Sequence, residues 1–101
     1  MNLQELGEKH GTPLYGYSAG TILDHYQRLD SAMGELDHMI CYATKANSNL
    51  AVLNMLAKKG SGFDIVSAGE LFRVKEAGGD PTKCTFAGVG KTRAEIEYAI
   101  K

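Results

Sequence analysis

Lys45 is the residue of this sequence with the clearest capacity for chemistry. It follows an apolar run, residues 39–44, and precedes the small polar tetrad Ala46, Asn47, Ser48 and Asn49. A cationic side chain at the end of a buried strand is costly unless it is paired or has lost its charge. An amine that is partly desolvated gives up its proton more readily and can condense with an aldehyde as a Schiff base. Strand alternation would place Cys41, Ala43 and Lys45 on one face and Ile40, Tyr42 and Thr44 on the other, so that small residues leave room beside the amine. The plainer alternative is a lysine that snorkels from the strand end to water. Two carboxylates stand nearby in the chain. Asp64 shares a strand face with Gly62 and Val66, and an acid there calls for a cationic partner such as Lys45, as part of a site or as a structural ion pair. Glu70 completes a Ser67-x-x-Glu70 capping box, which accounts for it without any chemistry.

The elements that would position these residues follow from periodicity. Residues 1–10 read as a polar lead, and Leu14, Tyr15 and Tyr17 suggest a brief strand after Gly11 and Pro13. Ser18 can cap a helix over 19–33, where Ile22, Leu23, Tyr26, Leu29 and Met33 recur at helical spacing. After the strand at 39–44, Asn49 can cap a second helix carrying Val52, Leu53 and Leu56, closed by Lys58, Lys59 and Gly60. A strand at 62–66 and a helix ending at Gly78 and Gly79 follow. A strand at 84–89 and a last helix, opened by a Thr92-x-x-Glu95 capping box, complete the pattern.

Repeated strand and helix at short intervals describe βαβ units, which must be parallel and right-handed. Three such strands leave bare edges and an open sheet face. The expected fold is therefore α/β, the first three βα units of a (β/α)8 barrel preceded by a short strand and helix. The domain is expected to be incomplete, since eight units need ~250 residues. On that reading the isolated 101 residues should neither fold stably nor turn over a substrate. Functional side chains of such barrels lie at the C-terminal ends of strands, where Lys45 falls.

Composition narrows the function further. Eleven basic against twelve acidic side chains, with no run of either sign, leave no electrostatic footprint for nucleic acid or an anionic membrane. No segment approaches a membrane span, and the first ten residues lack the features of a secretory signal, so a cytoplasmic protein is expected. Cys41 and Cys84 have no metal-ligand spacing and are expected as reduced thiols. His10, His25 and His38 lack catalytic or metal spacing and are expected at the surface, so no metal site is expected. FAGVGKT at 86–92 fails as a phosphate-binding loop, because the motif needs glycine where Thr85 stands. Lys91 is expected to be solvated.

The segment CYATKANSN at 41–49, GFDIVSAGEL at 62–71 and HGTPLYGYS at 10–18 together resemble the pyridoxal-phosphate-dependent decarboxylases built on an alanine-racemase-like barrel, and most of all the diaminopimelate decarboxylases. The likeness runs over nearly the whole chain. It implies pyridoxal 5'-phosphate as cofactor, Lys45 as the catalytic residue that carries it, and Asp64 and Glu70 as acids near that lysine. Thr44 stands where an aliphatic residue such as valine is commoner, and should face the helices. The implied reaction is decarboxylation of meso-diaminopimelate to L-lysine and carbon dioxide, by a homodimer acting on a small amino acid. A sister decarboxylase of ornithine, arginine or a carboxylated polyamine, and a non-catalytic barrel that binds the same cofactor, are the alternatives. The resemblance also implies that residues 1–17 lead into a separate β-domain and that 18–101 begin the barrel. The cofactor's phosphate loop, the ring-nitrogen partner and the specificity residues are then expected beyond residue 101.

Overall fold

Three short parallel strands alternate with helices, and the candidate residues are divided among a strand, a turn and a helix. A computed structural model describes all 101 residues. In chain order the elements are α1 (Leu3–His10), α2 (Ala19–Met33), β1 (Cys41–Ala43), a 3-10 turn (Thr44–Ala46), α3 (Leu50–Lys58), β2 (Gly62–Ile65), α4 (Ala68–Glu76), a second 3-10 turn (Pro81–Lys83), β3 (Cys84–Phe86) and α5 (Arg93–Ile100). The strands lie in the order β1-β2-β3, all parallel. This is the expected α/β arrangement.

The helices begin where polar side chains can take up free backbone N–H groups. Ser18, Asn49, Ser67 and Thr92 each accept from the first turn of the helix they precede. Residues 1–10 depart from expectation. They form a helix rather than a polar lead, because Asn2 accepts from the Glu5 amide and Gly11 ends the helix at φ 81°. Leu14, Tyr15 and Tyr17, expected as a strand, pair with no other strand within this chain. An isolated extended segment has no ladder to join.

Register sorts the side chains onto two faces. Tyr42, Phe63 and Cys84 form one row, with Ile65 and Phe86 on the same side, and this face is covered by helices. The core is Val52, Leu53 and Leu56 of α3, Phe63 and Ile65 of β2, and Leu71, Val74 and Ala77 at α4. Tyr42 meets Phe63 edge to face at 6.5 Å. Ala43, Asp64 and Thr85 form a row on the opposite face, beside Cys41 and Gly62. The sheet is tightest at Gly62, where a Cβ would lie 2.5 Å from the Lys83 carbonyl oxygen and 2.9 Å from Cys41 Sγ.

One layer of helices on one face buries little. Only 11 of 101 residues are buried, and the radius of gyration is 15.9 Å, against about 13 Å for a compact chain of this length. No helix is long and apolar enough to cross a membrane.

Candidate active site

β1 is shorter than the sequence suggests, and this changes how Lys45 is presented. Pairing with β2 covers Cys41, Tyr42 and Ala43 only, after which the backbone tightens into the 3-10 turn with Lys45 at its centre. Strand alternation therefore stops before Lys45, which is displayed by a turn and not by the Cys41–Ala43 face of the strand. The lysine is exposed. It belongs to none of the chain's ion pairs, which join Arg28 to Asp24, His38 to Asp30 and Arg93 to Glu97.

The turn that displays Lys45 is held on both sides. Ahead of it, the Thr44 side chain is fully buried on the helix side, as expected, with Oγ1 2.6 Å from Glu70 Oε2 and 3.0 Å from the Asp64 carbonyl oxygen. Behind it, the Tyr42 hydroxyl donates to the Asn47 carbonyl at 3.1 Å and Arg73 donates to the Ser48 carbonyl at 3.2 Å. Burial pushes the Tyr42 phenol above its usual range, so it remains a donor. Asn47 Oδ1 accepts from the Asn49 amide at 3.0 Å, and Asn49 Oδ1 caps α3 through the Ala51 amide at 2.9 Å. The polar tetrad after Lys45 thus spends its side chains on shaping the loop.

Asp64 lies on the open face of β2, half-buried, with Oδ1 accepting from the Thr85 hydroxyl at 3.0 Å. Its partner is a hydroxyl, and it forms no ion pair with Lys45 or any other cation. Glu70 departs from the expected capping box. Ser67 Oγ does accept from the Glu70 amide at 3.1 Å, but the Glu70 carboxylate passes over the Ser67 amide and accepts from Val66 N–H at 2.7 Å and from Thr44. A side chain that local rules assign to a helix end instead ties the end of β1 to the end of β2. Thr44 therefore joins all three candidate residues: it precedes Lys45, contacts the backbone of Asp64 and contacts the carboxylate of Glu70.

Thr44, Tyr42, Arg73 and Thr85 were not singled out by sequence reasoning as site residues. Thr44 carried a usable signal, since a hydroxyl in an otherwise apolar strand position must find a buried partner. For Arg73 there was none. Two lysine and histidine expectations also change. Lys91 is half-buried, and its ammonium donates to the Phe86 and Gly88 carbonyls, each at 3.0 Å, tying down the loop after β3. His38 is half-buried, its ring nitrogens 2.6 Å from the Leu36 carbonyl and 2.8 Å from Asp30 Oδ1. Both contacts are acceptors, which favours the doubly protonated ring and raises its pKa, the Leu36 carbonyl contributing most.

The largest cavity, about 430 Å³, lies along the free edge of β1 and is lined mainly by apolar groups such as Ile22, Tyr26, Leu29 and Ile40. Lys45 does not line it. A group that uses Lys45 would meet it in the turn that follows β1, with Asp64 on the open face of the neighbouring strand, paired with Ala43. A free amine on a fixed turn, with small residues on either side and a carboxylate on the neighbouring strand, suits an aldehyde-bearing cofactor.

A family model described as the pyridoxal-dependent decarboxylase, pyridoxal binding domain, matches residues 19–101. The chain is 58% identical over 99 residues to the diaminopimelate decarboxylase of Vibrio cholerae, covering 98% of this chain and 24% of that protein. It is 54% identical over 101 residues to that of Haemophilus influenzae, covering 100% and 24%. Among solved structures, the diaminopimelate decarboxylase of Helicobacter pylori complexed with L-lysine superposes with a TM-score of 0.92 at 43% identity, covering 98% of this chain and 25% of that one. The lysine/ornithine decarboxylase of Vibrio vulnificus complexed with cadaverine shares the fold at 24% identity and a TM-score of 0.87, covering 97% and 26%. The chain spans about a quarter of the length of the curated relatives it matches.

Proposed function

Because the chain belongs to the pyridoxal-dependent decarboxylases, through their pyridoxal-binding domain, we propose that it forms part of an enzyme that decarboxylates meso-diaminopimelate to L-lysine and carbon dioxide. The observation that carries this reading is an exposed, unpaired Lys45 held on a rigid turn at a strand end, in a chain 58% identical to a diaminopimelate decarboxylase. When bound, pyridoxal phosphate supplies an aldehyde carbon that an amine can engage and a ring that takes up the electrons left when carbon dioxide departs.

The chain's own contribution is to hold and orient that group. Lys45 is the covalent anchor, and its freedom from ion pairs leaves the amine available. Asp64 places negative charge on the neighbouring strand, with Thr85 fixing the direction of one oxygen. Glu70 acts from behind the turn, through Thr44 and the Val66 amide, and fixes the spacing of β1 and β2. Both acids are read as surroundings of the anchor and not as proton donors in their own right.

On the same reading, residues 18–101 begin the barrel and residues 1–17 lead towards a separate β-domain, which gives Leu14, Tyr15 and Tyr17 a sheet to join. The enzyme is cytoplasmic and a homodimer. A sister activity on ornithine, arginine or a carboxylated polyamine is the weaker reading, since likeness to the lysine and lysine/ornithine decarboxylases falls to between 24% and 29% identity.

The test uses the protein at its natural length. Borohydride reduction after loading with pyridoxal phosphate should leave a pyridoxyl group on the peptide containing Lys45, and meso-diaminopimelate should yield L-lysine. Lys45→Ala should lose both. A label on another lysine, or lysine production undiminished in the variant, would remove Lys45 from its role.

A further inference from the structure

We propose that His38 is a pH-sensitive latch, which holds the connection between α2 and β1 while its ring carries two protons and lets it go when one is lost. That connection, residues 34–40, is thinly tied. The Leu36 amide donates to the Met33 carbonyl at 3.2 Å, and the Ile40 carbonyl accepts from the Gly62 amide at 2.9 Å. Residues 37–39 between them make no backbone–backbone hydrogen bond. What fastens this stretch is the His38 side chain, with Nδ1 2.6 Å from the Leu36 carbonyl oxygen and Nε2 2.8 Å from Asp30 Oδ1 near the end of α2. The latch therefore bridges the two walls of the large cavity, one formed by Ile22, Tyr26 and Leu29 of α2 and the other by the edge of β1 from Ile40 onward.

Neither partner of the ring can donate. A carbonyl oxygen and a carboxylate offer only lone pairs, so both contacts are hydrogen bonds only while each ring nitrogen carries hydrogen. Neutral imidazole has a single N–H. Its bare nitrogen would face an oxygen at 2.6 or 2.8 Å, repulsive at either place, and the ring must leave one of the two. The ionisable groups that act on His38 are Asp30 from α2 and Asp37 from its own segment, both acidic and both favouring the second proton. Asp30 also faces the Tyr26 phenol, which burial first and then this carboxylate keep protonated. The Leu36 carbonyl, followed by Asp30, holds the ring above its ordinary value of 6.5. The fastening is thus complete below about pH 6.5 and is lost as the pH rises through the higher folded value. The His38 side chain is 21% exposed, so its proton exchanges with solvent.

The experiment uses the natural-length holoenzyme and a glutamyl-specific protease. The rate of cleavage after Glu35 is divided by that of a free peptide of residues 33–41 at the same pH, which removes the pH dependence of the protease. Between about pH 6 and pH 9 this ratio should rise several-fold in the parent, as the latch opens. In His38→Gln it should be high and flat, and in Asp30→Asn the rise should begin at lower pH. Cleavage after Glu76, normalised in the same way, should stay flat throughout. A flat ratio at Glu35 in the parent, a parent-like rise in His38→Gln, an unchanged onset in Asp30→Asn, or an equal rise at Glu76 would each overturn the proposal. Asp30→Asn carries the test by itself if His38→Gln does not accumulate.

Discussion

Ser67-x-x-Glu70 and Thr92-x-x-Glu95 carry the same helix-opening signature, and the chain uses them differently. At α5 the box closes on itself: Thr92 Oγ1 accepts from the Glu95 amide at 3.3 Å, and Glu95 Oε2 accepts from the Thr92 amide at 2.9 Å. The other oxygen of Glu95 accepts from the Ala68 amide at 3.2 Å, so the box also pins the start of α5 to the start of α4. At α4 the serine half forms but the glutamate is diverted to Val66 and Thr44. Backbone geometry fixes where both helices start. What each carboxylate does is decided by its surroundings, since only Glu70 has a buried hydroxyl within reach. The diverted carboxylate is the one bonded to Thr44, the residue that precedes Lys45.

The contrast can be tested by removing each carboxylate in turn. Glu70→Ala should cost about 1 to 2 kcal/mol in urea unfolding, because it strips the Val66 amide of its acceptor and leaves the buried Thr44 hydroxyl only the Asp64 carbonyl, and it should lower cofactor loading. Glu95→Ala should cost clearly less, since two of its three bonds lie in solvent, and should leave loading unchanged. Equal costs would mean that Glu70 behaves as an ordinary cap. A smaller and symmetrical effect is expected for the hydroxyl partners: Ser67→Ala and Thr92→Ala should each cost about 1 kcal/mol, since in this half the two motifs are alike. A clear difference between them would show that the helix starts themselves are unequal.

The smallest effect is in acid. Hydrogen bonds, chiefly from the Thr92 amide and then from that of Ala68, hold the Glu95 carboxyl below its usual value of 4.5. A depressed folded value means that the stabilisation is complete above about pH 4.5 and is lost as pH falls through the lower folded value. Urea midpoints measured downward from about pH 6 should show this acid-side loss in the parent and less of it in Glu95→Gln. A parent and variant with the same acid profile would detach the box from its titration.

The layout of strands and helices was legible because local signals agreed with one another. Helix 19–33 is bounded as its cap and periodicity require, with Ser18 before it and Gly34 after it. Helix α1 was missed although Asn2 and Glu5 spell the same cap-x-x-acid signature that opens α4 and α5. Its eight residues hold only two large apolar side chains, Leu3 and Leu6, too few for the recurring stripe that marks α2. β1 and β3 were read too long for a related reason. Strand length depends on what lies alongside, and the ladder to β2 supplies only three partners on each side. Within the site, Lys45 stood out from its own neighbours in sequence. The Thr44–Glu70 contact did not, since it joins residues 26 positions apart and overrides a local rule that is complete by itself. Arg73, reaching Ser48 across 25 positions, was hidden for the same reason.

Glycine 62 carries a different lesson, about what this segment of chain can become. With the Lys83 carbonyl and the Cys41 sulfur already inside the space of a methyl group, the position has no neutral variants to wander through. Gly90, with nothing within 4 Å of the same imaginary atom, does. The two glycines read alike in the sequence, yet one can be exchanged freely and the other ties the spacing of three strands to a single codon.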